Sequence, residues 1–465
     1  MTTLQARAAV ILLLSFLTLT PVSAQETRQS ASPKANVHLW GQLKGMGTRK
    51  VTMAYDGAAA LVGDSRDITI NTDAEGNFDT MIYVPKPTYY VIYRNTLYLS
   101  PGDDLQCHIT PSNVEATFSG KGAEANLYLK NRAFPHAGCY LVGGQNLRAD
   151  YPSTLAFIDS VATARTAELT HLKTASPDFI VQEKAQIAGE QVNSLFYYPV
   201  YALIYAKTRH AEMTAKTIDS FFVAHKDDAN GLIRQMAKDK YLDVSVVRSV
   251  LLQIMSDSIT YRAFSHDFAP TPRMNDLLKA VVASLNLKRD ASEATLLQAN
   301  MTAEGLKEED FASELKEKIA QARKLEAGQE AFDFVMTDRE GKTHRLSEYK
   351  GKLIYIDFWA TWCGPCIQES PAFEKLCKQY AGKDIVFLQV SIDKNEGAWK
   401  RYIATKNKVA PQYRSVDPVL KEKWAVLFIP RFVLVDDQFR IVNPFAPRPS
   451  EKAINNLLDT RLSVR

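Results

Sequence analysis

Two cysteines in the C-terminal third of the chain have the clearest chemical potential. Cys363 and Cys366 end the segment 359–366, which reads Trp-Ala-Thr-Trp-Cys-Gly-Pro-Cys. Two intervening residues place the sulfurs close enough to open and close one disulfide, and the thiolate is the nucleophile in such exchange. We therefore expect Cys363 to attack a partner disulfide and Cys366 to displace that partner from the mixed disulfide. A structural disulfide or half of a zinc site are the alternatives, although no further ligands follow at zinc spacing.

A helix is predicted to begin near Cys363, directly after an apolar strand that ends at Trp359. The first N–H groups of a helix have no intrahelical partner, so this position stabilises a thiolate. A thiol with a pKa of about 8.5 is only about 3% ionised near pH 7, whereas a pKa of about 7 ionises roughly half of it. Pro365 fits the first turn because its missing N–H would be unpaired there anyway.

Asp357 is the second candidate, because it interrupts the apolar run six residues before Cys363. Burial disfavours the charged form of a carboxyl group and so raises its pKa. Such a group could take a proton from Cys366, directly or through a water, while the mixed disulfide is resolved. The alternative is a structural acid at the edge of the core that binds backbone donors.

The chain around these residues changes character twice. Residues 37–120 contain short β-rich runs separated by turn formers, residues 123–328 keep helical spacing, and the remainder alternates strand and helix. We predict a multidomain protein: a β-sandwich-like antiparallel domain at 36–121, an all-helical domain at 122–327 and an α/β domain at 328–465. Pro199 should kink or end the helix that carries Phe196 and Tyr197.

The first residues predict export from the cytoplasm. Arg7 precedes an apolar run at 8–17, and Val-Ser-Ala follows at 22–24. This is typical of a signal peptide, 1–24, that is cleaved after Ala24, with an uncleaved membrane anchor as the alternative. No later stretch reaches the roughly 18–20 apolar residues of a transmembrane helix. We expect the protein in the periplasm or cell envelope, where disulfides persist.

Charge and the other cysteines limit the possible partners. The net charge is +4, from 56 basic and 52 acidic residues with no basic stripe, which argues against a nucleic-acid partner. Of the five cysteines, Cys107 and Cys139 could form a disulfide, but two separate core thiols are favoured. A metal site that also uses His108 and His136 would require a strand and a distant loop to meet. Cys377 reads as a buried core thiol, and we predict neither a metal nor a cofactor.

Residues 332–465 resemble the TlpA/ResA-like disulfide reductases, a family with the thioredoxin fold. The resemblance rests on Gly-Lys at 341–342, Lys-Gly-Lys at 350–352 and the segment 358–366, which is nearly the family's signature. It implies a thioredoxin-like domain at 328–465. More weakly, Leu-Ser-Pro-Gly-Asp at 99–103 and Gly-Lys-Gly at 120–122 with Asn126 resemble the N-terminal halves of long envelope proteins of this type from Bacteroidetes-like bacteria.

The same resemblance assigns roles to individual residues. Pro430 matches the cis-proline that faces the active cysteines, although an isolated Ile-Pro bond is usually trans. Ile429 would offer its backbone to an extended substrate chain, Trp362 would flank the nucleophile, and Asp357 matches the buried acid. Gln389 departs from the family, because it stands where a lysine usually neighbours that acid.

The leading hypothesis is a reductant or exchanger of protein disulfides in the cell envelope, recharged by a thiol electron donor in the membrane. Its clients would be proteins with disulfides or thiols. A net oxidant or isomerase is one alternative. A peroxidase of the peroxiredoxin type would need a threonine three residues before its cysteine, where Ala360 stands. A binding protein whose N-terminal domains have the main role is the remaining alternative.

Overall fold

The computed structural model describes residues 34–130, 138–205, 218–256, 261–265, 268–289, 293–323, 325–406, 409–426 and 429–463. The predicted signal peptide at 1–24 lies outside these residues. The chain divides into two compact units. The first comprises the residues up to Lys279 together with the short segment Lys307–Phe311, and the second comprises Ala280–Leu306 and Ala312–Arg465. The predicted domain boundaries at 121 and 327 stay a prediction.

Two four-stranded sheets form the N-terminal β region, with strand orders β4-β1-β7-β8 and β3-β2-β5-β6. The strands are β1 (Val37–Leu43), β2 (Lys50–Tyr55), β3 (Ile68–Asn71), β4 (Asn77–Ile82), β5 (Thr88–Ile92), β6 (Asn95–Leu99), β7 (Asp104–Ile109) and β8 (Thr117–Lys121). The predicted antiparallel β domain is confirmed, with one difference: β1 and β7 pair in parallel.

The middle of the chain is helical, as predicted. Its helices are α1 (Ala123–Lys130), α2 (Tyr151–Leu169), α3 (Pro177–Tyr205), α4 (Ile218–Ala224), α5 (Lys226–Met236), α6 (Ser245–Ser256), α7 (Arg262–Ser265), α8 (Pro272–Arg289), α9 (Glu293–Gly305) and α10 (Glu309–Arg323). Helix α3 continues through Pro199, so this proline does not end it. Phe196 packs on the rings of Phe222 and Tyr261, and such burial offsets the backbone hydrogen bond that a proline removes.

The C-terminal region is an α/β domain around one seven-stranded sheet of order β10-β9-β13-β12-β11-β14-β15. Its elements are β9 (Val335–Thr337), β10 (Thr343–Arg345), β11 (Leu353–Trp359), α11 (Gly364–Gln379), β12 (Ile385–Ser391), α12 (Glu396–Ala404), β13 (Gln412–Arg414), α13 (Val419–Glu422), β14 (Arg431–Val435), β15 (Ile441–Asn443) and α14 (Lys452–Ser463). The thioredoxin-like fold implied by the sequence is confirmed.

Strand β11 is an interior strand of this sheet and carries the candidate site at its carboxyl end. It pairs in parallel with β12 and antiparallel with β14. All seven of its residues are buried, because apolar clusters cover both faces of the sheet: Ile356 and Phe358 belong to one cluster and Tyr355 to the other. This two-sided burial explains why the run is continuously apolar rather than alternating. Asp357 is its one acidic residue.

Among the described residues, no helix combines the length and the apolar composition that crossing a bilayer requires.

Candidate active site

Cys363 is the N-terminal capping residue of α11, and the helix itself begins at Gly364. Cys363 and Cys366 form a disulfide with their Cα atoms 5.3 Å apart. The backbone N–H of Cys366 donates a hydrogen bond to Sγ of Cys363 at 3.2 Å. This donor is one of the N–H groups that a helix start leaves without an intrahelical partner. The sequence-based placement of Cys363 at a helix start therefore matches the structure, and the geometry can stabilise a thiolate on this sulfur.

An apolar cluster surrounds the sulfur pair. Trp359, Ala360, Trp399 and Ile403 pack together with both cysteines. Cys363 retains 5% of its surface and Cys366 retains 3%, so the oxidised pair offers little area to a reacting thiol. The neighbouring Trp362, by contrast, is 68% exposed. The site therefore combines a shielded disulfide with an exposed aromatic side chain beside its nucleophilic end.

The peptide bond between Ile429 and Pro430 is cis, as the family resemblance implied. Ile429 is half-buried and packs against the cluster that contains Cys363 and Cys366. Pro430 directly precedes β14, whose first residue Arg431 pairs with Phe358 of β11. The strand pairing thus brings Ile429, which lies 63 residues after Cys366 in the sequence, next to the sulfur pair.

Asp357 is 2% exposed and lies two positions before the end of β11. Its register partner on β12 is Gln389, the residue that the sequence places where a lysine is usual. The side-chain Nε2 of Gln389 donates to Oδ2 of Asp357 at 2.8 Å. At the position where a lysine is usual, the buried acid therefore accepts a hydrogen bond from a neutral amide.

Asp393 is a site residue that the sequence reasoning missed. Its carboxylate accepts hydrogen bonds from the backbone N–H of Thr361 at 2.9 Å, from Thr361 Oγ1 at 2.8 Å and from Ser391 Oγ at 2.6 Å. Asp393 is 2% exposed. It fixes the short segment between β11 and Cys363. The available signal was a polar residue just past the carboxyl end of a parallel strand, where functional side chains collect.

Glu369 is a second missed residue, one turn after Cys366 on α11 and 9% exposed. Its carboxylate accepts from the N–H of Ser450 at 3.2 Å and from Ser450 Oγ at 2.9 Å. Burial, followed by the charges of Asp357 and Glu369, raises the pKa of Tyr355 well above its ordinary value. The negative charges of two buried carboxyl groups therefore act on the same tyrosine.

The remaining cysteines are separate from the sulfur pair. Cys107 and Cys139 are not disulfide-bonded, so the favoured expectation of two separate thiols is confirmed. Burial raises the pKa of Cys107 to about 12 and that of Cys139 to about 11, and thiols with such values are poor nucleophiles near neutral pH. Cys377 is buried in the core, as predicted. His136 of the metal hypothesis lies outside the described residues, and within them no group of three or more metal-binding side chains occurs.

Comparison with known proteins places this site in a family. The sequence profile of the AhpC/TSA family matches residues 327–442. The thiol-disulfide oxidoreductase ResA of Bacillus anthracis is 31% identical over 147 residues, 30% of this chain and 81% of that protein. The thioredoxin-like protein YneN of Bacillus subtilis (strain 168) is 32% identical over 141 residues, 29% of this chain and 80% of that protein. A candidate thiol-disulfide oxidoreductase crystallised from Bacteroides vulgatus is 57% identical, with 30% of this chain and 99% of that one covered and a TM-score of 0.30.

The sequence relatives are covered over most of their own length, and the site geometry agrees with their names. A cysteine pair caps a helix, one sulfur accepts a backbone N–H, and a cis-proline segment packs close by. The chain belongs to the ResA-like family of thioredoxin-fold thiol–disulfide oxidoreductases.

Proposed function

We propose that the protein reduces or exchanges disulfides of exported proteins in the cell envelope, with Cys363 as the attacking residue and Cys366 as the resolving residue. The observation that supports this order is the hydrogen bond from the N–H of Cys366 to Sγ of Cys363 at the start of α11. It favours the thiolate on Cys363, whereas Cys366 lies inside the first helical turn. The polarity of the helix start adds to this preference.

The exchange proceeds in two displacements. The Cys363 thiolate attacks one sulfur of a client disulfide, a mixed disulfide forms, and the client's other sulfur leaves as a thiolate. Cys366 then loses its proton and attacks the Cys363 sulfur, which releases the client's second thiolate and closes the Cys363–Cys366 disulfide. Two electrons pass to the client, and a thiol electron donor in the membrane returns the protein to the dithiol form.

Asp357 accepts the proton of Cys366 in the second displacement, directly or through a water. Support comes from its burial beneath the carboxyl end of β11, where removal from water makes a carboxyl group more basic. A proton acceptor is useful at this step, because the resolving thiol must ionise inside an apolar cluster. A positioned group of this kind typically contributes about 100- to 10,000-fold to the rate.

Trp362, Ile429 and Pro430 form the surface on which a client chain binds. Trp362 offers an exposed aromatic face, and Ile429 packs against the sulfur pair while its backbone precedes a strand. An extended client segment could pair with this backbone and present its disulfide to Cys363. Export depends on the predicted signal peptide at 1–24.

Trapping of clients tests the proposal most sharply. A Cys366→Ala protein, produced in its own cell envelope, should retain clients as mixed disulfides that a reductant releases. The matched control is the double variant Cys363→Ala, Cys366→Ala, which keeps the binding surface but has no nucleophile. We expect adducts with exported proteins in the first variant and none in the control; equal recovery from both would contradict the proposal.

The direction of electron flow is a separate question, answered by the reduction potential of the sulfur pair. For a two-electron couple, about 30 mV corresponds to a tenfold change in the equilibrium constant. We expect a potential close to that of reducing thioredoxins, about −270 mV. A value near that of a strong oxidant, about −120 mV, would instead favour the oxidant or isomerase.

The AhpC/TSA profile match gives one specific reason to keep peroxidase activity as a second candidate. Ala360 stands where such an enzyme requires a threonine. We expect no peroxide consumption above that of free thiols. A rate of peroxide consumption that depends on Cys363 alone would instead favour the peroxidase.

The remaining alternative is a binding role of the N-terminal regions. If a Cys363→Ser, Cys366→Ser variant retained full biological activity, this binding role would replace the redox proposal.

A further inference from the structure

A chain of two side-chain amides leads to the buried acid. Nε2 of Gln412 donates to Oε1 of Gln389 at 2.9 Å and to the backbone oxygen of Ala410 at 3.0 Å. Nε2 of Gln389 then donates to Oδ2 of Asp357 at 2.8 Å. The three side chains come from three neighbouring strands, β13, β12 and β11, and Gln389 is 1% exposed.

The direction of this chain is fixed at its outer end. The Ala410 carbonyl oxygen can only accept, so Gln412 must present its NH₂ group there, and the same group faces Gln389. Gln389 must then present its oxygen to Gln412, which leaves its own NH₂ group for Asp357. A reversed chain would place Oε1 of Gln412 against the carbonyl oxygen of Ala410, and Oε1 of Gln389 against the carboxylate of Asp357. The amides therefore donate toward the acid and do not accept from it.

The use of Gln412 supports this direction. Its NH₂ group serves two acceptors, whereas its Oε1 is buried and has no hydrogen-bond partner among the described residues. Among the described residues, the side chain of Gln412 therefore acts only as a donor. Gln412 also lines a surface cleft of about 320 Å³ together with Pro411 and Tyr413. The chain thus runs from a solvent-accessible cleft to the buried carboxyl group.

We propose that Gln389 and Gln412 are positioning residues whose donated hydrogen bonds hold Oδ2 of Asp357 as an acceptor and thereby set the proton affinity of this acid. This inference rests on the proposed role of Asp357 as the proton acceptor. A donated amide hydrogen stabilises the carboxylate more than the neutral acid. The two amides therefore stabilise the carboxylate form of Asp357 through hydrogen bonds, as a nearby cation would through its charge. Unlike a lysine, they add no titratable group to the site.

The test measures the second displacement as a function of pH in the full-length, reduced protein. An aromatic disulfide reagent that releases a coloured thiolate reacts first with Cys363, and the release of its second thiolate reports attack by Cys366. Gln389→Met removes the donor with little change in size and should move the midpoint of the rate profile upward by about one pH unit, a tenfold change in proton affinity. Gln389→Lys should move the midpoint downward.

Two further variants keep the inference testable if a change at the buried Gln389 disturbs folding. Gln412→Met, at the half-buried end of the chain, should shift the midpoint upward by less than Gln389→Met does. Gln379→Met is the matched control, because it removes an amide hydrogen bond of 2.9 Å to Asn455 on the same domain. It should leave the profile unchanged.

The outcomes separate the two levels of the proposal. Opposite shifts in Gln389→Met and Gln389→Lys, absent in the control, would support the amide chain, since a purely structural role would move both variants alike. If Asp357→Asn removes the pH transition while the glutamine variants leave it in place, the amide chain is wrong and the proposed function stands. If Asp357→Asn leaves the transition unchanged, the proton-acceptor role itself is wrong.

Discussion

Asp393→Ala offers a quantitative check on how the segment before the nucleophile is held. The carboxylate of Asp393 accepts the N–H and Oγ1 of Thr361 and the Oγ of Ser391. Thr361 lies two residues before Cys363, so these bonds set where the helix cap begins. Alanine removes every one of these acceptors at once and leaves the donors beside a buried strand end.

The size of the effect follows from the number and kind of bonds lost. A hydrogen bond to a charged group contributes about 1.5–3 kcal/mol, and water or neighbouring groups recover part of this when the site relaxes. We therefore expect the free energy of unfolding to fall by about 3 kcal/mol. For a domain of this size this lowers the melting temperature by roughly 6–12 °C. Thr361→Val removes only the Oγ1 bond and should cost about 1 kcal/mol.

Thermal unfolding of the full-length protein, followed by the fluorescence of tryptophans such as Trp399 next to the cysteines, measures these differences. The same samples give the rate of the first displacement at Cys363, which should fall more in Asp393→Ala than in Thr361→Val. The reasoning fails if Asp393→Ala is no less stable than Thr361→Val, or if it loses stability without any change at Cys363.

Three other predictions concern single groups. Asp357→Asn should slow resolution by Cys366 about 100- to 10,000-fold while the first displacement stays within a few-fold, as stopped-flow traces of the two phases would measure. The hydrogen bond to Asp338 raises the pKa of His344, so the stability it adds is full below pH 6.5 and is lost as pH rises through the raised value; His344→Gln should flatten this part of the melting-temperature profile. Cys107 and Cys139 should resist alkylation at pH 8 in the folded protein, because burial raises the pKa of both thiols, and mass spectrometry of the labelled protein would detect any reaction.

The parts of the site that local sequence determines could be predicted. The apolar run of β11, the cysteine spacing and Pro365 specify a buried strand followed by a helix start, because each acts within a few residues. Asp357 was identifiable as an acid within an apolar run. Its partner Gln389 was visible only through the resemblance, as a departure from the usual lysine.

Contacts between distant segments could not be predicted in this way. Gln412 reaches Gln389 and Asp393 reaches Thr361 only after β11, β12 and β13 have aligned, since 23 and 32 residues separate these pairs. Pro199, expected to kink or end its helix, does not end α3, and the packing that surrounds this helix is likewise invisible in the local sequence. No local pattern carries such information.

Asn126 illustrates the same limit in the N-terminal region. The sequence marked it only as part of a weak resemblance. In the structure it is fully buried, and its side chain accepts from the N–H of Tyr98 and donates to the carbonyl oxygen of the same residue. It thereby attaches α1 to strand β6 as a neighbouring strand would. A polar residue with this function is recognisable only once its partner strand is known.

A redox titration of the two sulfurs tests the central claim most directly. The full-length protein is equilibrated across a series of dithiol-to-disulfide buffer ratios, and free thiols are then labelled and located by mass spectrometry. We predict that Cys363 and Cys366 gain labels together, reversibly, with the slope of a two-electron couple, about 30 mV per tenfold change. Sulfurs that stay unlabelled in the folded protein at every ratio, or that change independently of each other, would contradict the account.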